Sequence, residues 1–128
     1  MEKVTGIGGF FFASDDPEAL AEWYERHLGI RKPGKEYADG SWWQDEGPTV
    51  FGAHARDAGG GGKDRSWSIN FRVRDLDAMV AQLRAAGITV EVESTVYPNG
   101  RFAHLKDPDG NGIELWEPDG TDLQRPAG

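Results

Sequence analysis

A repeated pattern along the chain constrains its fold more than any other feature of the sequence. An apolar segment, an aspartate, an amphipathic stretch and a glycine follow one another twice, with Asp15 matching Asp75 and Gly29 matching Gly87. Self-similarity on this scale indicates two copies of one supersecondary unit. The 128 residues are enough for one compact domain that holds both copies.

Each copy contains one predicted helix. The first is predicted over residues 17–27, after the capping run Ser14-Asp15-Asp16-Pro17 and before Gly29. The second is predicted over residues 76–86, with Asp75 as its cap. Apolar residues at three- and four-residue spacing give each helix one apolar face: Leu20, Trp23, Tyr24 and Leu28 in the first, and Leu76, Met79, Val80 and Leu83 in the second.

Strands are predicted on both sides of each helix. Opening strands are predicted at residues 7–13 and 67–73, and the second of these alternates cleanly between apolar and polar side chains. Turn-forming runs separate three further short strands in each copy, at residues 35–37, 41–45 and 49–55 and at residues 89–94, 101–106 and 113–117. Each copy is therefore βαβββ, and the fold class is α+β.

Four consecutive glycines at positions 59–62 divide the two copies. A run of glycines destabilises both helices and strands, so it indicates a flexible connection. It is not a phosphate-binding loop, because no Gly-Lys-Ser/Thr follows it. We define module one as residues 4–58, the linker as 59–65 and module two as 66–118. Residues 119–128 form a polar tail that we expect to be loosely ordered.

Charge and composition exclude several kinds of partner. The net charge of −8 and the absence of a basic stripe argue against nucleic acid, and no apolar run is long enough to span a membrane. With no cysteine there is no disulfide and no thiol nucleophile, and a cytoplasmic location is expected. The acidic surface favours solubility, or alternatively attraction of a cationic ligand.

The repeat and the run LKDPDGNGIELWEP at residues 105–118 resemble the vicinal oxygen chelate superfamily, which contains glyoxalases, bleomycin-resistance proteins and extradiol dioxygenases. The resemblance covers the chain from Ile7 to Pro118. It implies two tandem βαβββ modules that form a curved mixed sheet around a cavity, with the helices outside. It also implies a homodimer and, in the enzymes, a divalent metal that chelates two adjacent substrate oxygens.

The metal ligands implied by the resemblance carry over poorly to this chain. The opening-strand positions fall on Gly8 and Ser68, and the last strand of module one offers Phe51 or Gly52. Glu114 is the only retained ligand position. Because a stable divalent site needs several donors in a defined geometry, no metal and no other cofactor is expected.

Strand alternation predicts which side chains line the cavity. The apolar walls are predicted to be Phe10, Phe12, Phe102 and Trp116, with Trp42 or Trp43 as a further wall. The polar groups are predicted to be Ser68, Asn70, Arg72, His104 and Glu114, with Lys106 a less certain member. An apolar cleft with a few convergent polar groups is typical of a small-molecule site, although core packing explains each tryptophan taken singly.

The polar groups have structural as well as functional interpretations. Glu114 either contacts a ligand or pairs with Arg72 or His104, since a buried charge needs a partner. Arg72 either binds a ligand carboxylate or phosphate or neutralises Glu114. An imidazole can exchange protons near neutral pH, so His104 is the candidate acid–base residue together with Glu114, but a structural role is more common for a histidine beside a carboxylate.

Two functions follow, and a ligand-free structural or regulatory domain is a third, weaker possibility. The first is a metal-free protein that sequesters an aromatic or cationic small molecule, as the bleomycin-resistance branch does, with antibiotic resistance as its biological context. The second is a lyase, isomerase or dioxygenase that uses Glu114 and His104, with or without a metal. The sequence favours the first, because the ligand positions for a metal are largely lost.

Overall fold

A computed structural model of the chain describes residues 1–56 and 65–127. Two helices and four strands follow in the order α1 (Pro17–Leu28), β1 (Ile69–Arg72), α2 (Leu76–Ala85), β2 (Glu91–Val92), β3 (Gly100–Lys106) and β4 (Gly112–Pro118). Short 3-10 helices lie at Tyr37–Asp39 and Gly120–Leu123. The α+β class predicted from the sequence is confirmed. Most of the predicted linker lies outside the described residues.

The four strands form one mixed, open, curved sheet in the order β1-β4-β3-β2. β1 runs parallel to β4, with Asn70 opposite Glu114, whereas β3 is antiparallel to both β4 and β2. His104 lies opposite Glu114 on one side and opposite Glu91 on the other. The βαβββ order predicted for module two is therefore confirmed, with strand bounds close to the predicted ones.

Both helices begin and end with the predicted signals, with one correction. Asp16, not Asp15, is the N-cap of α1: its side chain accepts from the Ala19 amide, and Pro17 occupies the first helical position. Asp75 caps α2 by accepting from the Ala78 amide, so Asp16 is the residue that corresponds to Asp75. Gly29 ends α1 in the left-handed conformation, with φ of 72°.

The strands predicted for module one are wrong for the described structure. Residues 7–13, 35–37, 41–45 and 49–55 form no ladder, and Tyr37–Asp39 is instead a 3-10 turn. A strand exists only where another strand pairs with its backbone, and alternation in a sequence does not supply that partner. Apolar side chains in these segments are consequently exposed, among them Phe11 at 93% and Phe51 at 92%.

The core lies between one face of the sheet and the two helices. Ala103, Leu105, Ile113 and Leu115 of the sheet pack with Leu20 and Tyr24 of α1 and with Leu76, Val80 and Leu83 of α2. These are the residues that strand and helix periodicity assign to the apolar faces. No helix within the described residues combines the length and apolar character needed to cross a membrane.

Part of the tail is ordered, contrary to expectation. Its 3-10 helix begins after Asp119, whose side chain accepts from the Gly120 amide and whose own amide donates to the Asn99 carbonyl. The bond to Asn99 attaches the tail to the loop before β3.

Candidate functional site

The sheet has a second face that no helix of the described residues covers, and the module-two side chains on it are those predicted to face a cavity. Alternation along β3 and β4 sends Ala103 and Leu115 into the core and leaves Phe102, His104 and Glu114 half-buried on the opposite side. We call this side, with Asn70 of β1 and Glu93 after β2, the open face of the sheet. The predicted alternation is confirmed for module two.

Three ionisable side chains converge at the centre of the open face. The Nε2 atom of His104 lies 2.8 Å from Oε2 of Glu93 and 3.7 Å from Oε2 of Glu114. One nitrogen or oxygen from each of the three residues falls within 4.8 Å of the other two. The side chains are partly exposed, at 30% for Glu93, 44% for His104 and 35% for Glu114, so the cluster is open to solvent and to a ligand.

Neutral donors hold the remaining carboxylate oxygens of this cluster. The Asn70 side-chain amide donates to Oε1 of Glu114 at 2.7 Å, and the Tyr97 hydroxyl donates to Oε1 of Glu93 at 2.9 Å. The hydrogen bond from His104, followed by that from Tyr97, lowers the pKa of Glu93 below its ordinary value. The same carboxylate raises the pKa of Tyr97. Glu93 is therefore ionised at neutral pH.

The cluster contains one more metal-ligating group than the sequence predicted for this face, while the absence of a metal stays a prediction. The sequence has one retained ligand position, Glu114, with His104 on the same side, and the fold adds Glu93, so that a histidine nitrogen and two carboxylates lie together. The two opening-strand positions implied by the resemblance still carry no strong ligand, since Gly8 lacks a side chain and Ser68 offers only an exposed hydroxyl. Chemically, one imidazole and two carboxylates fit a divalent transition metal.

Glu93 is the member of the cluster that the sequence analysis missed. Its signal is strand alternation: Val92 packs against the core, so its neighbour must point to the open face. The amide of Glu93 donates to the Phe102 carbonyl at 2.9 Å, which extends the β2–β3 pairing beyond the two residues of β2. Because β2 has only two residues, its register could not be predicted from the alternation of apolar and polar side chains.

An aromatic pair lies next to the cluster on the same two strands. The rings of Phe102 and Trp116 are parallel, with centroids 6.2 Å apart, and Tyr97 meets Phe102 edge-on. Trp116 is only 3% exposed and its indole N–H donates to the Asn99 carbonyl at 2.8 Å. Phe102 and Tyr97 thus form the accessible aromatic surface, and Trp116 supports it from within instead of serving as the predicted wall.

Phe10 and Phe12 do not join this surface, contrary to the prediction. Both rings contact Trp67, and Phe12 also meets Tyr24 of α1 with centroids 5.9 Å apart. Phe12 packs against the core on the helix side of the sheet, and Phe10 lies beside Phe12 and is 44% exposed. The predicted orientation of these side chains depended on a strand at residues 7–13 that does not form, which is why the prediction does not hold for module one.

The remaining predicted contacts lie away from the cluster. Arg72 donates to the Asp45 carbonyl at 2.9 Å and its guanidinium packs on Gly47, so it does not neutralise Glu114. Trp43 is 90% exposed and forms no wall, Trp42 is 41% exposed, and Lys106 is exposed.

A shallow groove of about 290 Å³ lies beside α1 and is lined by Asp16, Trp23 and Pro108 among others. None of the cluster residues borders this groove.

The architecture defines the class of protein: a βαβββ unit whose sheet packs helices on one face and presents convergent polar groups on the other. The chain matches the model of the Glyoxalase/Bleomycin resistance protein/Dioxygenase superfamily over residues 6–115. It therefore belongs to that superfamily, as the resemblance indicated.

Two relatives of this chain are named as anthracycline biosynthesis proteins. The chain is 32% identical over 123 residues to the anthracycline biosynthesis protein DauV of Streptomyces sp. (strain C5) and 31% identical over 123 residues to DnrV of Streptomyces peucetius, also an anthracycline biosynthesis protein. These alignments cover 90% of this chain but only 44% of each relative, so the chain spans less than half of their length.

A solved structure supports the fold. TnmS3, an antibiotic-binding protein from Streptomyces sp. CB03234, superposes with a TM-score of 0.59 at 24% identity, over 93% of this chain and 100% of that one. At this level of identity the likeness establishes the shared fold.

Proposed function

We propose that this protein binds a small aromatic or cationic molecule on the open face of its sheet and sequesters it. The observation that carries the proposal is the adjacency of Phe102 to the Glu93–His104–Glu114 cluster. Phe102 and His104 are two residues apart on β3, so their side chains project from the same face about 7 Å apart along the strand. One planar molecule with a positive charge spans both features.

Electrostatics favour a cation at this position. Glu93 and Glu114 have one ion-pair partner between them among the described residues, His104, and it offsets at most one of the two negative charges. The net charge of −8 adds a field of the same sign around the whole chain. A cation placed beside the accessible rings of Phe102 and Tyr97 also gains a cation–π contribution of about 0.5–2 kcal/mol.

The comparisons are consistent with such a ligand. Two relatives are named for anthracycline biosynthesis, and the protein of the same fold is described as antibiotic-binding. We therefore propose an antibiotic or a related aromatic compound as the ligand class, with protection from that compound as the biological context. A cytoplasmic location stays a prediction from the sequence.

Fluorescence titration of the full chain tests this proposal. Proflavine, a planar cation, should quench the tryptophan emission at saturable stoichiometry, and anthraquinone-2-sulfonate, a planar anion, should bind at least tenfold more weakly. Phe102→Ala should weaken proflavine binding about tenfold, while Tyr37→Phe, at a fully exposed site, should leave it unchanged. Equal binding of both dyes, or no effect of Phe102→Ala in a folded variant, would remove the support for this site.

A second candidate function is enzymatic, and the position of His104 favours it. Its Nε2 atom lies within 4 Å of two carboxylates on a solvent-accessible face, so a carboxylate can accept the hydrogen bond from Nε2 and leave Nδ1 as the atom that takes a proton from a bound substrate. In this reading Glu114 helps to orient the imidazole, and the reaction belongs to the lyase, isomerase or dioxygenase classes of the superfamily. Incubation with bound compounds followed by mass spectrometry separates the two functions, because a sequestering protein returns its ligand unchanged.

We also propose that the protein is a homodimer. The resemblance implies one, and module one leaves large apolar side chains exposed, among them Phe11, Trp43 and Phe51. Exposed apolar groups of this size are typical of a surface that another chain covers. Analytical ultracentrifugation should give about twice the mass of 14.1 kDa, and a monomer across the micromolar range would contradict the proposal.

A further inference from the structure

We propose that Glu93, His104 and Glu114 form a divalent metal site whose ligands all come from module two. The superfamily's expected ligand positions in this chain are largely empty of donors, as Gly8 and Ser68 illustrate. The three residues instead lie on three neighbouring strands of the sheet. Glu93 directly follows β2, His104 lies within β3, and Glu114 lies within β4. This inference is separate from the proposed function: a bound divalent ion would offset the two carboxylate charges that attract a cationic ligand, so proflavine binding is a property of the metal-free protein and is measured apart from metal binding.

The distances fit a small first-row ion. Zinc–nitrogen and zinc–oxygen bonds of about 2.0–2.2 Å in a tetrahedral arrangement place neighbouring donors about 3.4 Å apart. The two donor pairs with known separations, His104 with Glu93 at 2.8 Å and with Glu114 at 3.7 Å, lie on either side of that value. The three side chains are 30–44% exposed, which leaves them room to rotate toward equal separations.

The chemistry of the donor set favours a transition metal over calcium or magnesium. An imidazole nitrogen suits zinc, nickel, cobalt or iron, whereas calcium and magnesium prefer oxygen ligands alone. Two carboxylates neutralise the charge of a divalent ion. Three protein ligands leave at least one coordination position for water or a ligand oxygen.

The surrounding hydrogen bonds already orient both carboxylates. Asn70 holds Oε1 of Glu114 and Tyr97 holds Oε1 of Glu93, and neither donor is itself charged. Each bond fixes one oxygen and turns the other toward His104. Such outer hydrogen bonds set the orientation of ligands in metal sites, and their loss typically weakens metal binding by about 10–100-fold. Asn70 and Tyr97 are therefore positioning residues in this proposal.

Isothermal titration calorimetry of the untagged, metal-stripped chain with zinc chloride tests the proposal. We expect one ion per chain, a rise in melting temperature on adding zinc, and binding of calcium at least a hundredfold weaker. Glu93→Gln, His104→Gln and Glu114→Gln should each reduce zinc affinity at least tenfold, and Tyr97→Phe should reduce it by a smaller factor. Cobalt substitution should give visible d–d absorption that His104→Gln abolishes.

Matched variants distinguish a defined zinc site from non-specific electrostatic attraction of zinc to the acidic surface. Glu18→Gln removes the same charge from an exposed site on α1, the helix that packs against the other face of the sheet, and His54→Gln removes an exposed histidine elsewhere in the chain. Both should bind zinc as the parent does. Equal weakening by Glu18→Gln and Glu93→Gln, equal affinity for zinc and calcium, or no zinc binding by the folded parent would each overturn the proposal. Because proflavine binding is read separately, failure here is distinguishable from failure of the proposed function.

Discussion

The Tyr24 hydroxyl donates a buried hydrogen bond of 2.7 Å to Oδ2 of Asp107, and this contact joins α1 of module one to the β3–β4 turn of module two, 83 residues away. Asp107 is 5% exposed and also accepts from the backbone and side-chain amides of Asn111. Burial and the neighbouring Asp107 carboxylate raise the pKa of Tyr24 well above its ordinary value, so the hydroxyl remains a donor.

Tyr24→Phe should lower the free energy of unfolding by about 1.5–3 kcal/mol, because a hydrogen bond to a buried charged acceptor is lost while the ring is kept. Urea denaturation followed by circular dichroism measures this change. Tyr37→Phe removes a hydroxyl from a fully exposed tyrosine and serves as the control, with an expected change near zero. Equal stability of the Tyr24→Phe and parent proteins would show that the contact between the modules contributes nothing.

Gly100→Ala should destabilise the protein by about 1–3 kcal/mol. Gly100 has φ of 132°, and an added Cβ would meet the Glu117 carbonyl oxygen at 2.1 Å and the Trp116 indole nitrogen at 2.9 Å. Gly8→Ala is the matched control, since nothing lies within 4 Å of its Cβ position. Thermal unfolding should therefore separate the two variants, and a Gly100→Ala protein as stable as Gly8→Ala would contradict the close approach.

Leu115→Ala should cost about 2–5 kcal/mol, because Leu115 is fully buried between the sheet and the helices and its truncation leaves a cavity. Leu123→Ala makes the same chemical change at a side chain that is 61% exposed, and should cost less than about 0.5 kcal/mol. Chemical denaturation of both variants checks the assignment of the core face. Similar losses from the two substitutions would place the core elsewhere.

Acid should weaken the contact between α2 and β3 through Asp77. A hydrogen bond and ion pair with Arg101 at 3.0 Å lower the pKa of the Asp77 carboxyl. A carboxyl whose pKa is depressed on folding contributes stability above its unfolded pKa of about 4 and loses it as the pH falls through the lower, folded value. The stability difference between the parent and Asp77→Asn should therefore shrink as the pH falls below about 4 and be constant from pH 6 to 8, measured by urea denaturation across that range. A difference that does not change with pH would show that the pair contributes nothing to stability.

Sequence periodicity predicted module two almost completely and module one only in its helix. In module two each strand finds a partner nearby, so the alternation of Ile69 and Phe71 or of Ile113 and Leu115 corresponds to a real inward face. In module one the aromatic segment at residues 7–13 has similar apolar content but no ladder partner among the described residues. The assignment of Phe10 and Phe12 to the cavity failed for that reason.

The amino-acid sequence by itself determined the superfamily, the two helices with their aspartate caps, the strands of module two and the side of the sheet on which His104 and Glu114 lie. Only the tertiary structure decided that Glu93 joins them, that Arg72 turns away to Asp45, and that Trp116 is buried beneath Phe102. Helix caps and alternation are local and can be read along the chain, whereas the meeting of residues from different strands depends on register and on which strands pair.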